Sequence, residues 1–141
     1  MPTRNEEKIL HSSYEIALKA LSALHKEELG DLHKIRSVKI HQHELIEKFE
    51  ESFDSFLNYV KEYLWMVNGI EQSTPKAILR ELVTVQVINE EELAILSHMI
   101  DHRNKISHGH TQDDIVKFAY ALPVYDKVIS KVLLALKPIE A

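Results

Sequence analysis

An apolar residue recurs at every third or fourth position over two long stretches of this chain, and this spacing constrains the fold more than any other feature. One row is Leu45, Phe49, Phe53, Phe56, Val60, Leu64 and Val67, and the other is Ile115, Phe118, Leu122, Tyr125, Ile129, Val132 and Leu136. Because an α-helix turns once in about 3.6 residues, each row lies along one side of a helix. Both stretches are therefore predicted to be long helices with one buried face.

Glycines and turn residues predict where the first two helices end. A similar apolar row over residues 4–28 predicts a first helix, which Gly30 ends. The second helix is expected to cover residues 38–67 and to stop at Asn68-Gly69. Its aromatic row is expected to be core, whereas Tyr59, Tyr63 and Trp65 lie off that row and are expected at an interface.

Capping residues predict three more helices. Thr74 followed by Pro75 indicates the start of a short third helix, residues 75–85. Asn89 with Glu92 resembles a capping box for a fourth helix that runs to about residue 108, where Gly109 supplies a left-handed stop.

The fifth helix is predicted to start at Thr111 with Asp114 three residues later, and Pro123 should kink it. No alternating strand pattern, repeat or domain boundary is seen. The prediction is one all-α domain over residues 1–141, an up-and-down antiparallel bundle of four long helices and one short helix.

Composition excludes several classes of protein. With 45% apolar residues, three glycines and four prolines, the chain is neither disordered nor fibrous. The absence of cysteine excludes disulfides and thiolate metal sites. Residues 1–8 are polar, and no apolar run approaches ~18 residues. We therefore expect no signal peptide, no membrane contact and a cytoplasmic location.

The net charge of −5 repels nucleic acid at long range, so an RNA contact would need a local basic patch or a partner chain. Residues 33–43 form the concentrated basic stretch. This segment is expected either to be a solvated helix entrance or to contact RNA or a partner protein.

A permanent cation falls in register with apolar positions of the fourth helix. Arg103 follows Leu93, Leu96 and Ile100 at spacings of three and four. A guanidinium on a buried row keeps its charge and needs a partner or a function. One explanation is an ion pair with Asp101, Glu92 or a carboxylate of a partner, and the other is a binding or catalytic role.

The fourth helix also carries a second apolar row next to the first, formed by Ile95, Met99, His102 and Ile106. Since a bundle helix needs only one buried face, we expect the second row to meet another copy of the chain. The alternative is that this helix lies centrally within its own monomer. In a two-fold dimer, the Arg103 and His108 side chains of both copies would line one cleft.

The residue types near the end of this helix suit phosphodiester cleavage. His108 lies at the helix C-terminus, where the dipole favours its charged form, and Arg103 is suited to phosphate. In a catalytic site, His108 would act as general acid or base, Arg103 would stabilise the charge on phosphorus, and Asn104 would orient the pair. The alternative is that His108 only ends the helix. RNA is the expected substrate of a site that contains no metal ion, because the 2′-hydroxyl of RNA can act as the nucleophile.

Neighbouring side chains are assigned to binding. Ser107, His102 and His110 surround the proposed set and are candidate contacts to a ligand. His98 and His102 have helical metal-ligand spacing, but the glutamate of the metalloprotease pattern is missing. We expect ordinary surface or interface histidines there, with no metal and no cofactor.

The segment Arg103-Asn104-Lys105-Ile106-Ser107-His108 resembles the Arg-x4-His motif of the HEPN superfamily. Residues 73–81 are similar to the short third helix of the nucleotidyltransferase substrate-binding proteins in this superfamily. Residues 49–63 resemble the aromatic second helix of these proteins, and Pro123 lies where they tend to have a proline in the fifth helix. The resemblance covers about residues 38–136.

This resemblance implies a dimeric five-helix bundle whose partner is a minimal nucleotidyltransferase. In several members of the family the two proteins form a toxin and an antitoxin. The HEPN chain is then a metal-independent ribonuclease, and the nucleotidyltransferase silences it by attaching AMP to a tyrosine two residues after the motif histidine. Here His110 occupies that position, so the acceptor role does not carry over.

Two functions follow from the sequence. The first is an endoribonuclease toxin with a composite Arg-x4-His site at the interface of a homodimer or a higher even oligomer. The second is a non-catalytic subunit that binds a nucleotide or another substrate for the nucleotidyltransferase.

Overall fold

The computed structural model describes residues 2–31, 38–107 and 112–138 and consists of five helices. They are α1 Arg4–Asp31, α2 Val38–Asn68, α3 Pro75–Thr84, α4 Glu90–Ser107 and α5 Gln112–Ala135. The described residues contain no strand. The predicted all-α fold, with four long helices and one short helix, is confirmed.

Two of the predicted helix starts are confirmed by their hydrogen bonds. The side chain of Thr74 accepts a hydrogen bond from the backbone N–H of Ala77, with Pro75 in the first turn of α3. At α4, the Glu92 N–H donates to Asn89 Oδ1 over 2.8 Å and the Asn89 N–H donates to Glu92 Oε1 over 3.0 Å. This reciprocal pair is the predicted capping box, and it satisfies two backbone donors that a helix start otherwise leaves unpaired.

Glycine ends one helix as predicted and not another. Gly69 follows the last residue of α2 with φ 69°, and its N–H donates to the carbonyl of Trp65 over 3.2 Å. By contrast, α1 continues through Gly30 to Asp31, because glycine permits a left-handed stop without requiring one. Gly109 and Thr111, the predicted stop of α4 and cap of α5, lie outside the described residues.

Contacts between distant residues establish the direction of the helices. Ser13 on α1 donates to Glu62 on α2, and Lys131 on α5 donates to Glu92 on α4. Each of these pairs joins residues near opposite ends of consecutive long helices, so α1–α2 and α4–α5 are antiparallel pairs. The short helix α3 packs against α2 and α4. Pro123 lies inside α5, and helical structure continues on both sides of it.

The apolar rows meet in one core, which includes the aromatic side chains of α2 and α5. Phe49 packs on Phe118 with ring centroids 4.5 Å apart. Tyr59, expected at an interface, is fully buried, and its hydroxyl donates to the backbone carbonyl of Leu136. The interface prediction for Tyr59 was wrong because the buried face of α2 is wider than its aromatic row. Trp65, in contrast, is 53% exposed.

Both apolar rows of α4 contribute to the core of the same chain. Leu96 and Ile100 of the first row are buried, and so is Met99 of the second row. Ile95 is partly buried against the same core. This burial matches the alternative in which α4 lies centrally within its monomer. The second row therefore gives no independent reason for a dimer. In the described part of the chain, no helix is long and apolar enough to cross a membrane.

Candidate functional site

Arg103 forms an ion pair with a carboxylate on a different helix. Its Nη2 donates to Oδ2 of Asp54 on α2 over 3.0 Å. The side chain of Arg103 is 30% exposed and that of Asp54 is 56% exposed. Asp101 and Glu92, the partners expected from the sequence, each pair with a lysine instead. An ion pair was thus correctly weighed as one explanation of Arg103, but the expected partners were wrong.

One donor of the same guanidinium has no acceptor. Nε of Arg103 is buried and has no hydrogen-bond partner in the part of the chain that the structure describes. A buried donor in this state costs on the order of 1–3 kcal/mol. Since Nε and Nη2 lie on one edge of the guanidinium, an oxyanion that replaced the Asp54 carboxylate would accept from both. This edge of Arg103 thus has the donor geometry that matches a phosphate or a carboxylate.

His102 lies on another side of α4. Its ring centroid is 6.2 Å from that of Phe118 and 6.0 Å from that of Tyr125, both on α5. Burial lowers the pKa of His102, and the nearby His98 and Lys105 lower it further. Consecutive residues of a helix diverge by about 100°. His102 is thus a predominantly neutral ring packed on α5, whereas the adjacent Arg103 faces α2.

The remaining predicted site residues follow Arg103 on the same helix. Asn104 is exposed beside it. Ser107 is the last residue of α4, and its backbone is described but its side chain is not. His108 and His110 lie outside the described residues, as do residues 32–37 of the basic stretch. The structure therefore places Arg103 and Asn104 together and leaves the position of the predicted catalytic histidine as an expectation.

The ends of the α4–α5 pair are joined by two further ion pairs. Lys105 lies 3.0 Å from Asp114, close to the connection between the two helices. Glu92 and Lys131, at the other end, lie 2.7 Å apart. Hydrogen bonds from Lys131 and from the Asn89 backbone lower the pKa of Glu92. The helix that carries Arg103 is thus fixed to α5 near both of its ends.

The five tyrosines of the chain differ strongly in exposure. The side chain of Tyr125 is 5% exposed, and burial raises its pKa to about 12. Burial likewise raises the pKa of Tyr59. Tyr120 is 62% exposed and lies on the outer face of α5. Of the two tyrosines of α5, Tyr120 therefore lies on the surface of the single chain and Tyr125 does not.

The contribution of Asp54 was missed from the sequence. It is one of several acidic residues on the outer face of α2, and no local pattern distinguishes it. Only the tertiary fold, which brings the Arg103 side chain of α4 within reach of α2, selects it as the partner of Arg103. In the described residues, no group of three or more His, Asp or Glu side chains is arranged to hold a metal ion.

Comparison with known proteins places this bundle in a family. A family model described as nucleotidyltransferase substrate binding protein like matches residues 11–137. The chain belongs to this family. The match confirms the resemblance seen in the sequence, and the wider HEPN superfamily is consistent with it.

A solved structure supports the fold. The chain is similar to a protein from Thermus thermophilus known from its crystal structure, with a TM-score of 0.77 and 27% sequence identity. The alignment covers 86% of this chain and 98% of the Thermus chain. No curated protein matches the sequence. The nucleotidyltransferase substrate-binding family and its helical bundle are therefore established for this chain.

Proposed function

We propose that this chain is the HEPN-type partner of a minimal nucleotidyltransferase and that it cleaves RNA without a metal. The observation that supports this proposal is the state of Arg103. The guanidinium is held between two helices by a half-exposed carboxylate, and its buried Nε has no acceptor in the described residues. Such a cation is positioned in advance and exchanges a surface carboxylate for a phosphate at low cost.

In the proposed reaction, the 2′-hydroxyl of a ribose attacks the adjacent phosphorus. A histidine accepts the proton of that hydroxyl, and a second histidine donates a proton to the 5′-oxygen as the P–O bond breaks. The products are a 2′,3′-cyclic phosphate and a 5′-hydroxyl. His108 fills both roles when two copies of the chain meet at a two-fold axis. Arg103 stabilises the additional negative charge on the phosphorus oxygens, and Asn104 orients the histidine.

The dimer belongs to this proposal. The support for a dimer comes from exposed apolar side chains of α5, because the second apolar row of α4 contributes to the core of its own chain. Tyr120 and Val124 lie one turn apart, and they are 62% and 49% exposed. Both are on the helix that packs against the site-bearing α4. Pairing of two copies through this face would bring the ends of their α4 helices together.

The second candidate function is a non-catalytic subunit that binds a nucleotide or another substrate for the nucleotidyltransferase. The ion pair between Arg103 and Asp54 is equally compatible with this function, because binding alone also requires a cation that a phosphate can reach. In this case a phosphate would displace Asp54 and remain uncut. The two functions share the same phosphate-binding cation and differ in whether His108 transfers protons.

Cleavage of a labelled single-stranded RNA in excess EDTA distinguishes the two functions. We expect the purified chain to cut the RNA, His108→Ala to abolish cutting, and His98→Ala, an exposed histidine on the same helix, to leave it unchanged. Arg103→Lys should lose most of the activity, because an ammonium lacks the flat edge of a guanidinium. Circular dichroism of each variant checks folding. Cleavage that survives His108→Ala excludes the catalytic assignment. Absence of cleavage by the unaltered chain, with AMP binding that Arg103→Ala removes, supports the second function.

A further inference from the structure

A pocket of about 300 Å³ lies at the far end of α2 from the Arg103 site. It is lined by Asn58, Lys61, Glu62, Trp65, Glu71 and Gln72. Trp65 is eleven residues from Asp54 along α2, which is about 16 Å at 1.5 Å per residue. The pocket is therefore separate from the proposed RNA-cleaving site, and the inference drawn from it does not depend on that activity.

Hydrogen bonds hold the walls of this pocket in place. Glu62 accepts from Ser13 on α1 and from Asn58, one turn earlier on its own helix. On the opposite wall, Gln72 donates to Glu81 of α3 over 3.2 Å. The turn at Gly69 fixes the loop between these walls. The pocket is thus formed before any ligand binds.

The pocket combines an exposed aromatic ring with acidic side chains. The indole of Trp65 is 53% exposed, an unusual state for the largest apolar side chain in a small protein. Glu62 and Glu71 supply two carboxylates and Lys61 one ammonium, so the lining carries a net charge of −1. Glu71 and Lys61 form no ion pair in the described residues. An aromatic face beside carboxylates binds a flat cation, by cation–π attraction and by charge-assisted hydrogen bonds.

We propose that this pocket binds an arginine side chain from an exposed segment of a partner protein. The guanidinium would stack on Trp65 and donate hydrogen bonds to Glu62 and Glu71, while the amide oxygen of Gln72 offers a further acceptor. Charge complementarity selects this occupant over a nucleotide, because the two carboxylates repel a phosphate. Tryptophan and arginine are also the residues most enriched in the energetic centres of protein interfaces. Lys61 lies at the rim, where its flexible stem lets the ammonium stay in water.

The chain contains a single tryptophan, so its intrinsic fluorescence reports directly on the pocket. The probe is Nα-acetyl-arginine amide, and the matched control is Nα-acetyl-citrulline amide, which has nearly the same shape but no charge. We expect a saturable change in Trp65 fluorescence with the arginine compound and none with the citrulline compound. An equal response to both, or no saturable response to the arginine compound, overturns the proposal.

Two charge variants distinguish an arginine from a phosphate in the same pocket. Glu71→Gln should weaken binding of the arginine probe by up to ~5-fold, whereas Glu91→Gln, an exposed glutamate on α4, should leave it unchanged. Lys61→Met removes a like charge and should strengthen arginine binding. A saturable response to AMP that Lys61→Met weakens would overturn the proposal in favour of a nucleotide. RNA cleavage by these variants should equal that of the unaltered chain, so failure here is distinguishable from failure at Arg103.

Discussion

Arg103 on α4 donates a hydrogen bond over 3.0 Å to Asp54 on α2, a residue 49 positions earlier in the chain. This carboxylate competes with any phosphate for the guanidinium. We therefore expect Asp54→Asn to raise the affinity for AMP or single-stranded RNA by up to ~5-fold, since an exposed ion pair contributes at most ~1 kcal/mol. Fluorescence anisotropy of labelled ligands measures the change.

The control for this experiment is Glu51→Gln, which removes an exposed carboxylate from the same helix without touching Arg103. Its partner in the structure is Lys48, 4.0 Å away. An equal gain in affinity for both variants would show a general effect of net charge and would contradict a specific role for Asp54.

His102 predicts a pH dependence of stability. Burial lowers its pKa in the folded chain. The unfolded chain then binds more protons on this group, so stability rises with pH across the window below the ordinary histidine pKa of about 6.5. The contribution of His102 is complete above that pKa and is lost as the pH falls through the lowered folded value. We expect the thermal midpoint to rise between about pH 5.5 and 7.5, and to rise less in His102→Phe.

The comparison for His102 is His98→Gln, an exposed histidine one turn earlier on α4, which contributes to the His102 shift less than burial does and should reduce the pH dependence less. Because the chain has nine histidines, several groups contribute to the dependence of the thermal midpoint on pH. The test is therefore the difference in this dependence between the two variants. If His102→Phe kept the full pH dependence, the burial of the His102 ring would not be its source.

The buried hydroxyl of Tyr59 predicts a loss of stability on its removal. Tyr59→Phe leaves the Leu136 carbonyl without this donor in the core between α2 and α5. We expect a decrease of ~1–2 kcal/mol in the free energy of unfolding, measured by denaturant titration. Tyr120→Phe removes an exposed hydroxyl and should change stability by less than ~0.5 kcal/mol. Equal effects of the two substitutions would be inconsistent with the buried hydrogen bond.

Glu92 performs two tasks that two substitutions separate. Its carboxylate caps the start of α4 and also accepts from Lys131 of α5. Glu92→Gln keeps the capping geometry and loses the charge, so it should cost ~0.5 kcal/mol. Glu92→Ala loses both and should cost ~1–2 kcal/mol. Thermal unfolding of the two variants measures these losses of stability. A larger loss for Glu92→Gln than for Glu92→Ala would contradict the prediction.

Local signals in the sequence predicted the helices well. The start of α3 at Thr74-Pro75 and the capping box at Asn89 depend on residues within one turn of each other, so the sequence alone contains the information. Gly69 also ended its helix as predicted, whereas Gly30 did not, because the left-handed stop is only an option for glycine.

Contacts between distant segments were not predictable in the same way. The partner of Arg103 depends on how the fold places α2 relative to α4, and the sequence offered nearer carboxylates of the same chemistry. The burial of Met99 within the monomer and the pocket beside Trp65 likewise follow from packing. The Arg-x4-His motif singled out Arg103 from the sequence, but the fold determined which groups surround this arginine.

The two lysine–carboxylate contacts near the ends of the α4–α5 pair have a consequence for recognition. These contacts add to the buried Leu96, Met99 and Ile100 that hold α4 in the core, and the bond to Asp54 orients the Arg103 guanidinium before a ligand arrives. An incoming anion therefore does not have to order the Arg103 side chain, and the loss of conformational entropy on binding is correspondingly smaller. Selectivity at this point of the surface then comes from shape and charge already in place, with little adjustment after contact.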